Sequence, residues 1–415
     1  MFFKTKKGIW VGLLSLLVFV AGYKIGASGL GLSLFSNKVI LTRNVPVGKG
    51  VNFDLFWTVW DRVHDLYVDP SLLDPVKMVY GGISGMVAAV GDPYTVFLPP
   101  KDNKAAKDDL GGSFEGVGLQ LGYSKDNQLI VATPVDGSPA SKAGVKAGDR
   151  ILNIKDTRAN VDRDTNGLSI PEAVELIRGP RGTVVTLKLA REGVDAPFNV
   201  DLRRDTIVVK SVELKVRDVE VRGRKTKVAI IVLNKFGGRT SDEWTGVVDK
   251  IKELETKGEQ VQIVLDLRNN PGGYLEESVW IASEFIKSGV IVKQEGRKEV
   301  ETKTFEVVRQ GRLLNEPLIV VTNGGSASAA EILAGALRDN GRARIVGEKT
   351  FGKGTVQQPE DLPGGAGIRI TVARWLLPSG KWIDKAGVLP DVEVKNDEDP
   401  VVDEQLEKAV ELLTS

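Results

Sequence analysis

The stretch Asn323-Gly324-Gly325-Ser326-Ala327-Ser328-Ala329-Ala330-Glu331-Ile332 places a serine where a glycine-rich turn runs into an alanine-rich helix. Ser328 with Glu331 three residues on has the spacing of a capping box, in which the hydroxyl satisfies an orphan amide and the carboxylate reaches back. The same position suits a nucleophile, because free amides and the helix dipole stabilise a developing oxyanion there. Both readings fit the spacing. A serine nucleophile needs a base, and the chain has no cysteine and one histidine, His64. That composition excludes thiol catalysis and an imidazole zinc cluster, and it makes any Ser-His-Asp triad depend on a single residue. His64 lies beside an apolar helical stripe and reads as a surface or packing residue. A lysine or a carboxylate is left as base. Lys353, in Phe351-Gly352-Lys353-Gly354-Thr355-Val356, has apolar and glycine neighbours. For its amine to be neutral near pH 7, an ordinary pKa of about 10.4 must fall by roughly three units, which requires burial away from carboxylates. Local sequence fits equally a surface lysine between two flexible glycines.

A second turn, Asp266-Leu267-Arg268-Asn269-Asn270-Pro271-Gly272-Gly273, follows a strongly apolar run. It predicts a tight turn at the carboxyl end of a strand, where α/β proteins place ligands. A plain turn accounts for the glycines. They also suit close backbone approach to a substrate, with an amide of Gly272 or Gly273 completing an oxyanion hole with that of Ala329.

These turns need a scaffold. Buried-strand runs at Val228 to Leu233, Val261 to Leu267, Leu318 to Val321 and Arg344 to Val346 alternate with helical periods at Ser241 to Glu255, Leu275 to Ile286 and Ala327 to Leu337. This alternation predicts an α/β core with crossover helices. Upstream, short β-branched runs at Gly116 to Leu121, Leu129 to Thr133, Arg150 to Ile154 and Thr183 to Leu189, with one helix at Ile170 to Ile177, predict a compact β-rich module. Phe53, Phe56, Trp57, Trp60, Val63 and Tyr67 recur at helical spacing, and a second helix over Val76 to Val90 stops at Gly91-Asp92-Pro93. An amphipathic segment from Pro400 to Leu413 predicts a C-terminal surface helix.

Lys and Arg (56) balance Asp and Glu (55) to leave +1, so the chain has no electrostatic footprint for nucleic acid. Neither a P-loop nor a G-x-G-x-x-G is present, and no metal or cofactor is expected. Lys4, Lys6 and Lys7 precede an apolar stretch from Ile9 to Ala21, with Tyr23 and Lys24 behind it. This reads as positive-inside and predicts an uncleaved signal anchor, with the rest of the chain extracytoplasmic, periplasmic or extracellular.

Taken together, Gly91-Asp92-Pro93-Tyr94-Thr95, the Gly137 to Leu152 stretch, Asp266 to Gly273, Ser326 to Ile332 and Gly347 to Gln357 resemble the carboxyl-terminal processing peptidases, or tail-specific proteases, over nearly all of the exported chain. The resemblance implies that Ser328 is the nucleophile and Lys353 the general base. It places the family's assisting glutamine on Gln357, four residues after the lysine. Residues four apart on an extended strand are about 13 Å apart, so contact between Gln357 and Lys353 would require this stretch to coil. The resemblance also makes the β-rich module a PDZ domain, with Gly116-Val117-Gly118-Leu119 as the carboxylate-binding loop for apolar C-terminal tails. Two departures from the pattern, Ala330 where a serine is common and Arg374-Trp375-Leu376-Leu377-Pro378-Ser379-Gly380, touch the substrate pocket and leave the proposed pair intact.

The expected architecture is multi-domain α+β: a signal anchor over 1–36, a linker and helical region over 37–110, the PDZ domain over 111–204, the α/β protease core over 205–396 and a C-terminal helix over 397–415. Its partners would be protein or peptide tails, the membrane through the N-terminal helix, and a second copy through helices at the two ends. The rival readings are a catalytically silent peptide-binding scaffold and an α/β acyl hydrolase of another kind.

Overall fold

The computed structural model describes residues 30–35, 38–43, 52–124, 126–221, 223–297, 302–396 and 402–414. The chain forms two compact units, Met1–Gly81 and Gly82–Ser415. The predicted anchor helix over Ile9 to Ala21 lies outside the described residues, and among those described no helix is long and apolar enough to cross a membrane. The first unit holds an antiparallel hairpin, β1 (Leu30–Phe35) and β2 (Lys38–Arg43), where the sequence pointed to the end of the anchor and a linker. It also holds α1 (Asp54–Leu66) and the first half of α2 (Pro75–Ala88). Helix α1 forms over the predicted aromatic stripe, yet buries none of its residues: Phe53, Phe56, Trp57 and Trp60 pack ring against ring along the helix, and Trp57 stays 55% exposed. His64 is exposed on this helix, beside Asp65.

The second unit opens with β3 (Val96–Leu98) and α3 (Pro100–Leu110), and the β-rich module follows. The module's chain order is β4 (Ser113–Gly116), β5 (Leu119–Tyr123), β6 (Leu129–Pro134), the short α4 (Pro139–Lys142), β7 (Arg150–Asp156), β8 (Val161–Asp164), α5 (Ile170–Ile177), β9 (Val184–Ala190), β10 (Phe198–Arg203) and β11 (Asp205–Val208). Its sheet runs β10-β9-β7-β6-β5, with β8 paired to β7, and β4 pairs with β11 to close the module at its neck. Val131, Ile151, Ile154, Leu187 and Leu189 point inward at strand spacing and meet Ala173 and Ile177 of α5 in one core. The single strand predicted over Gly116 to Leu121 is broken at Val117-Gly118, because Gly118 adopts φ +75° and turns the chain.

The remaining elements are β12 (Val212–Val221), β13 (Arg224–Leu233), α6 (Thr240–Thr256), β14 (Gln260–Asp266), α7 (Leu275–Phe285), β15 (Val290–Glu295), β16 (Lys303–Glu306), β17 (Leu318–Thr322), α8 (Ala329–Asp339), β18 (Arg344–Gly347), β19 (Thr355–Asp361), β20 (Gly367–Leu376), β21 (Val392–Glu393) and α9 (Glu404–Thr414). The main sheet runs β12-β13-β14-β17-β18-β21, parallel except for the β12–β13 pair. Its central strands are apolar on both faces, as a doubly covered sheet requires. One face packs under α6, α7 and α8, where Trp244 and Phe285 meet edge to face at 5.6 Å; the other packs under Ala409 and Val410 of α9. Each large apolar side chain fully buried here contributes about 1.5–3 kcal/mol. A second sheet, β16-β15-β20-β19, also takes in β3 through its pairing with β20. The strand at 96–98 therefore belongs to the core sheet and not to an N-terminal helical region, and the β-rich module is an insertion within the core.

Candidate active site

Parallel strands deliver their carboxyl ends to one edge of the main sheet, and the loops after β14, β17 and β18 carry the three predicted turns. Ser328 caps α8 with φ 56° and ψ −115°, a conformation that L side chains rarely adopt. Holding a non-glycine residue there costs about 1–3 kcal/mol and gives a sharp strand-to-helix elbow that presents the side chain. The elbow is pinned from both sides: Ala327 N donates to Asn270 O at 2.9 Å, Ser326 Oγ to Leu267 O at 2.8 Å and Ile332 N to Ser328 O at 2.9 Å. Ser328 and Glu331 occupy capping-box positions, and Ser328 N donates to Glu331 Oε2 at 2.7 Å.

Glu331 is fully buried and collects three more donors. Thr350 Oγ1 (2.5 Å) and Gly352 N (2.7 Å) reach Oε1, and Lys353 N (2.9 Å) reaches the same Oε2 that Ser328 N occupies. One carboxylate oxygen thus holds the backbone nitrogens of Ser328 and Lys353 together. Phe351 N adds a bond to Ser326 O at 3.0 Å, so the serine turn and the lysine turn are stitched into one piece.

The Lys353 side chain is partly buried and forms no ion pair among the described residues; its Nζ lies 4.8 Å from the centre of the Tyr94 ring. Burial, and next the Arg369 guanidinium, push its amine below the ordinary lysine range, while Asp92 and Glu331 pull the other way without restoring it. Lowered basicity without a carboxylate partner is what a lysine needs to accept a proton.

Gly272 and Gly273 adopt φ +96° and +142°. A Cβ on Gly272 would stand 2.8 Å from Ser328 Cβ and 2.9 Å from Ala329 N, and one on Gly273 would stand 1.9 Å from Phe236 O. Only glycine fits either place. The Gly272 amide is taken by Asn270 Oδ1 at 2.8 Å. Of the two predicted donors, Gly273 is therefore the one left to pair with Ala329; among the described residues neither of these amides has an acceptor.

In the inserted module β5 is an edge strand and faces α5, with Tyr123 Oη donating to Leu168 O at 3.0 Å across the far end of the groove. The loop before β5 has its carbonyls spent: Val117 O accepts from Ala140 N at 3.0 Å and Gly118 O from Val135 N at 2.9 Å. The Val117 and Gly118 amides have no acceptor among the described residues, as a carboxylate-binding turn requires. Gly116 pairs with Asp205 in β4 and β11, and Leu119 begins the edge strand, so these two frame the loop.

Comparison with known proteins matches residues 130–191 to the PDZ domain and residues 227–394 to peptidase family S41. Over 371 residues the chain is 34% identical to carboxy-terminal processing protease CtpA of Bacillus subtilis (strain 168), which spans 89% of this chain and 74% of that protein. The chain belongs to peptidase family S41. It is likewise 36% identical to a carboxyl-terminal-processing protease of Picosynechococcus sp., spanning 89% of this chain and 92% of that one. The structure of a photosystem II D1 C-terminal processing protease shares 30% identity, covers 87% of this chain and 97% of its own, and superposes with a TM-score of 0.51. This S41 member is a carboxy-terminal processing serine protease, and its PDZ domain implies binding of peptide C-termini.

In the S41 core the predicted site residues gather unevenly. Ser328, Ala329, Gly272, Gly273 and Lys353 converge on one edge of the sheet. Gln357 sits on β19, which is extended and not coiled, beside a register shift after Val356. Its Nε2 donates to Thr355 Oγ1 at 2.9 Å and Thr371 Oγ1 at 3.1 Å, and no hydrogen bond joins it to Lys353. Two features of this S41 site were not read from sequence. Glu331 was visible as a capping residue, but its grip on the lysine turn depends on a contact 22 residues away. Tyr94 and Asp92 were visible within Gly91-Asp92-Pro93-Tyr94-Thr95 only as a helix stop and a family motif.

Proposed function

We propose that Lys353, in its neutral form, takes the hydroxyl proton of Ser328 as Ser328 Oγ attacks the carbonyl carbon of a substrate peptide bond. The oxyanion that forms is held by the amides of Ala329 and Gly273. Collapse breaks the C–N bond, and the Lys353 ammonium returns its proton to the leaving amine, giving an acyl-enzyme that water then hydrolyses. Gln357 assists at the lysine side of the site. The PDZ groove takes an apolar C-terminal tail along β5, with its terminal carboxylate on the amides of Val117 and Gly118. The catalytic part is extracytoplasmic, and the segment from Ile9 to Ala21 anchors it to the membrane. The observation that carries the reading is the shared Glu331 carboxylate, which ties the serine elbow to a lysine turn whose amine forms no ion pair among the described residues.

Incubation with an unstructured protein bearing an apolar C-terminus tests it, with cleavage followed by mass spectrometry for the unaltered chain, Ser328→Ala and Lys353→Ala. Cleavage by the unaltered chain alone is expected. Cleavage by all three overturns the Ser-Lys assignment. Tail binding by all three without cleavage by any indicates a silent scaffold.

A further inference from the structure

Lys353 is reached from a segment that lies far from it in sequence, before the PDZ insertion. Gly91 takes φ +79° and ends the second helix, and Asp92 then organises the turn: Tyr94 N donates to its Oδ1 at 3.0 Å and Thr95 Oγ1 to its Oδ2 at 2.6 Å. Thr371 N, on β20, donates to Thr95 Oγ1 at 3.0 Å, and Thr371 Oγ1 accepts from Gln357 Nε2 at 3.1 Å. The chain of bonds runs from Asp92 to Gln357. Tyr94, anchored at its backbone, lays its ring against the Lys353 amine at 4.8 Å.

We propose that Tyr94 is a positioning residue of the active site: its ring roofs the amine of Lys353, and Gln357 acts by holding the turn that carries that ring. This rests on the reading of Lys353 as the base. The roof acts in two ways. Its bulk keeps water from the amine, which favours the neutral form before reaction. Its electron-rich face meets the ammonium that forms once Lys353 has taken the serine proton. The charged groups facing the amine are Asp92 on the same turn, Glu331 on α8 and Arg369 on β20, with Asp384 facing Tyr94 itself. Asp92 stays ionised: burial favours its neutral form, but hydrogen bonds from Thr371, Thr95 and Tyr94 outweigh this and hold its carboxyl below the usual range. Asp92 is thus held by the turn that carries the ring, and the Lys353 amine forms no ion pair among the described residues. This arrangement also gives Gln357 a role that needs no direct contact with Lys353.

The test is the pH dependence of kcat and KM for an apolar-tailed peptide, measured on the unaltered chain, Tyr94→Phe, Tyr94→Leu, Tyr94→Ala, Gln357→Ala and Lys353→Ala. Tyr94→Phe is expected to keep kcat within about twofold and to leave the profile unmoved. Tyr94→Ala admits water, and because burial is the largest influence on the amine, the rising limb of kcat moves to higher pH by about one unit, a roughly tenfold loss near neutrality. KM stays within about threefold, and raising the pH rescues the rate. Tyr94→Leu restores the cover without the ring face and is expected to recover the profile but not the full plateau. Gln357→Ala shifts the limb in the same direction. An unmoved limb in a folded Tyr94→Ala enzyme overturns the proposal; if the alanine variant does not fold, a Tyr94→Leu enzyme with the full plateau of the unaltered chain overturns it instead. Full activity in Lys353→Ala instead overturns the reading of Lys353 and leaves the roof without a base to cover.

Discussion

A single carboxylate carries more of this site than its position in the sequence suggests. Glu331 is buried and accepts four hydrogen bonds, from Ser328, Thr350, Gly352 and Lys353. Glu331→Gln keeps the shape but turns an amide group toward N–H donors. We expect a loss of about 3 kcal/mol in urea denaturation and cleavage falling below detection, since buried N–H donors lose their acceptor. Ser328 behaves in the opposite sense. Ser328→Gly removes both the proposed nucleophile and the cost of positive φ, so it should abolish cleavage while raising stability by about 1 kcal/mol, read as a higher Tm. For Lys353 the sign of the pH effect follows from its lowered basicity. The proton is absent above the folded-state pKa, so cleavage should rise with pH at a lower value than an ordinary lysine allows. Because the folded pKa lies below the unfolded one, the unfolded chain binds more protons between the two. The buried amine therefore destabilises the fold at low pH, and this cost disappears as pH climbs through that window. Lys353→Met should show no such gain in a pH series of melting curves.

At the level of elements, the glycine before β5 decides whether the edge strand can receive a tail. A Cβ on Gly118 would stand 2.3 Å from Ser138 Cβ, at φ +75°, so Gly118→Ala must distort the turn. Its expected effect is a tenfold or greater weakening of peptide binding, about 1.4 kcal/mol, measured by fluorescence anisotropy of a labelled apolar tail on the Ser328→Ala chain. The other elements show what the sequence could say. Helix α5 appears at its predicted bounds because Ser169 and Glu172 form a full capping box and Pro171 sits in the first turn. Strands β13, β14, β17 and β18 were legible because each is built around an apolar, β-branched run. β12 was passed over although Val212, Leu214 and Val216 alternate with Glu213, Lys215 and Arg217; the alternation shifts by one residue at Asp218, on an edge strand with few buried side chains. β3 escaped notice for a different reason: three residues carry no period, and only pairing with β20 makes them a strand. The site followed the same rule. Ser328 and Lys353 stand in local motifs that sequence can display, whereas the reach of Glu331 and the approach of Tyr94 exist only once distant turns meet.

Across the whole second unit, the PDZ domain enters as an insertion between β3 and the main sheet, closed at its neck by the β4–β11 pair. Arg204 is buried at this neck, paired with Asp156 at 2.7 Å and donating to Ile177 O at 2.7 Å. Breaking one partner of such a pair leaves a buried charge. Asp156→Ala should therefore loosen the PDZ domain, seen as a separate early transition in calorimetry while the S41 core melts near its usual temperature. Capture and cutting are divided between two folds in one chain, so a tail held on the PDZ groove raises the local concentration of its own upstream peptide bonds.

That division has a cost in turnover. If the turn at Val117-Gly118 grips the tail's carboxylate, as proposed, hydrolysis upstream does not alter that carboxylate. The severed fragment leaves the catalytic centre still owning the group by which the substrate was caught, so each cycle produces its own competitor for β5. Departure of this fragment, and not bond cleavage, would then pace the enzyme on short tails. Progress curves should bend early, added tail peptide should reproduce the bend, and an amidated version of that peptide should not.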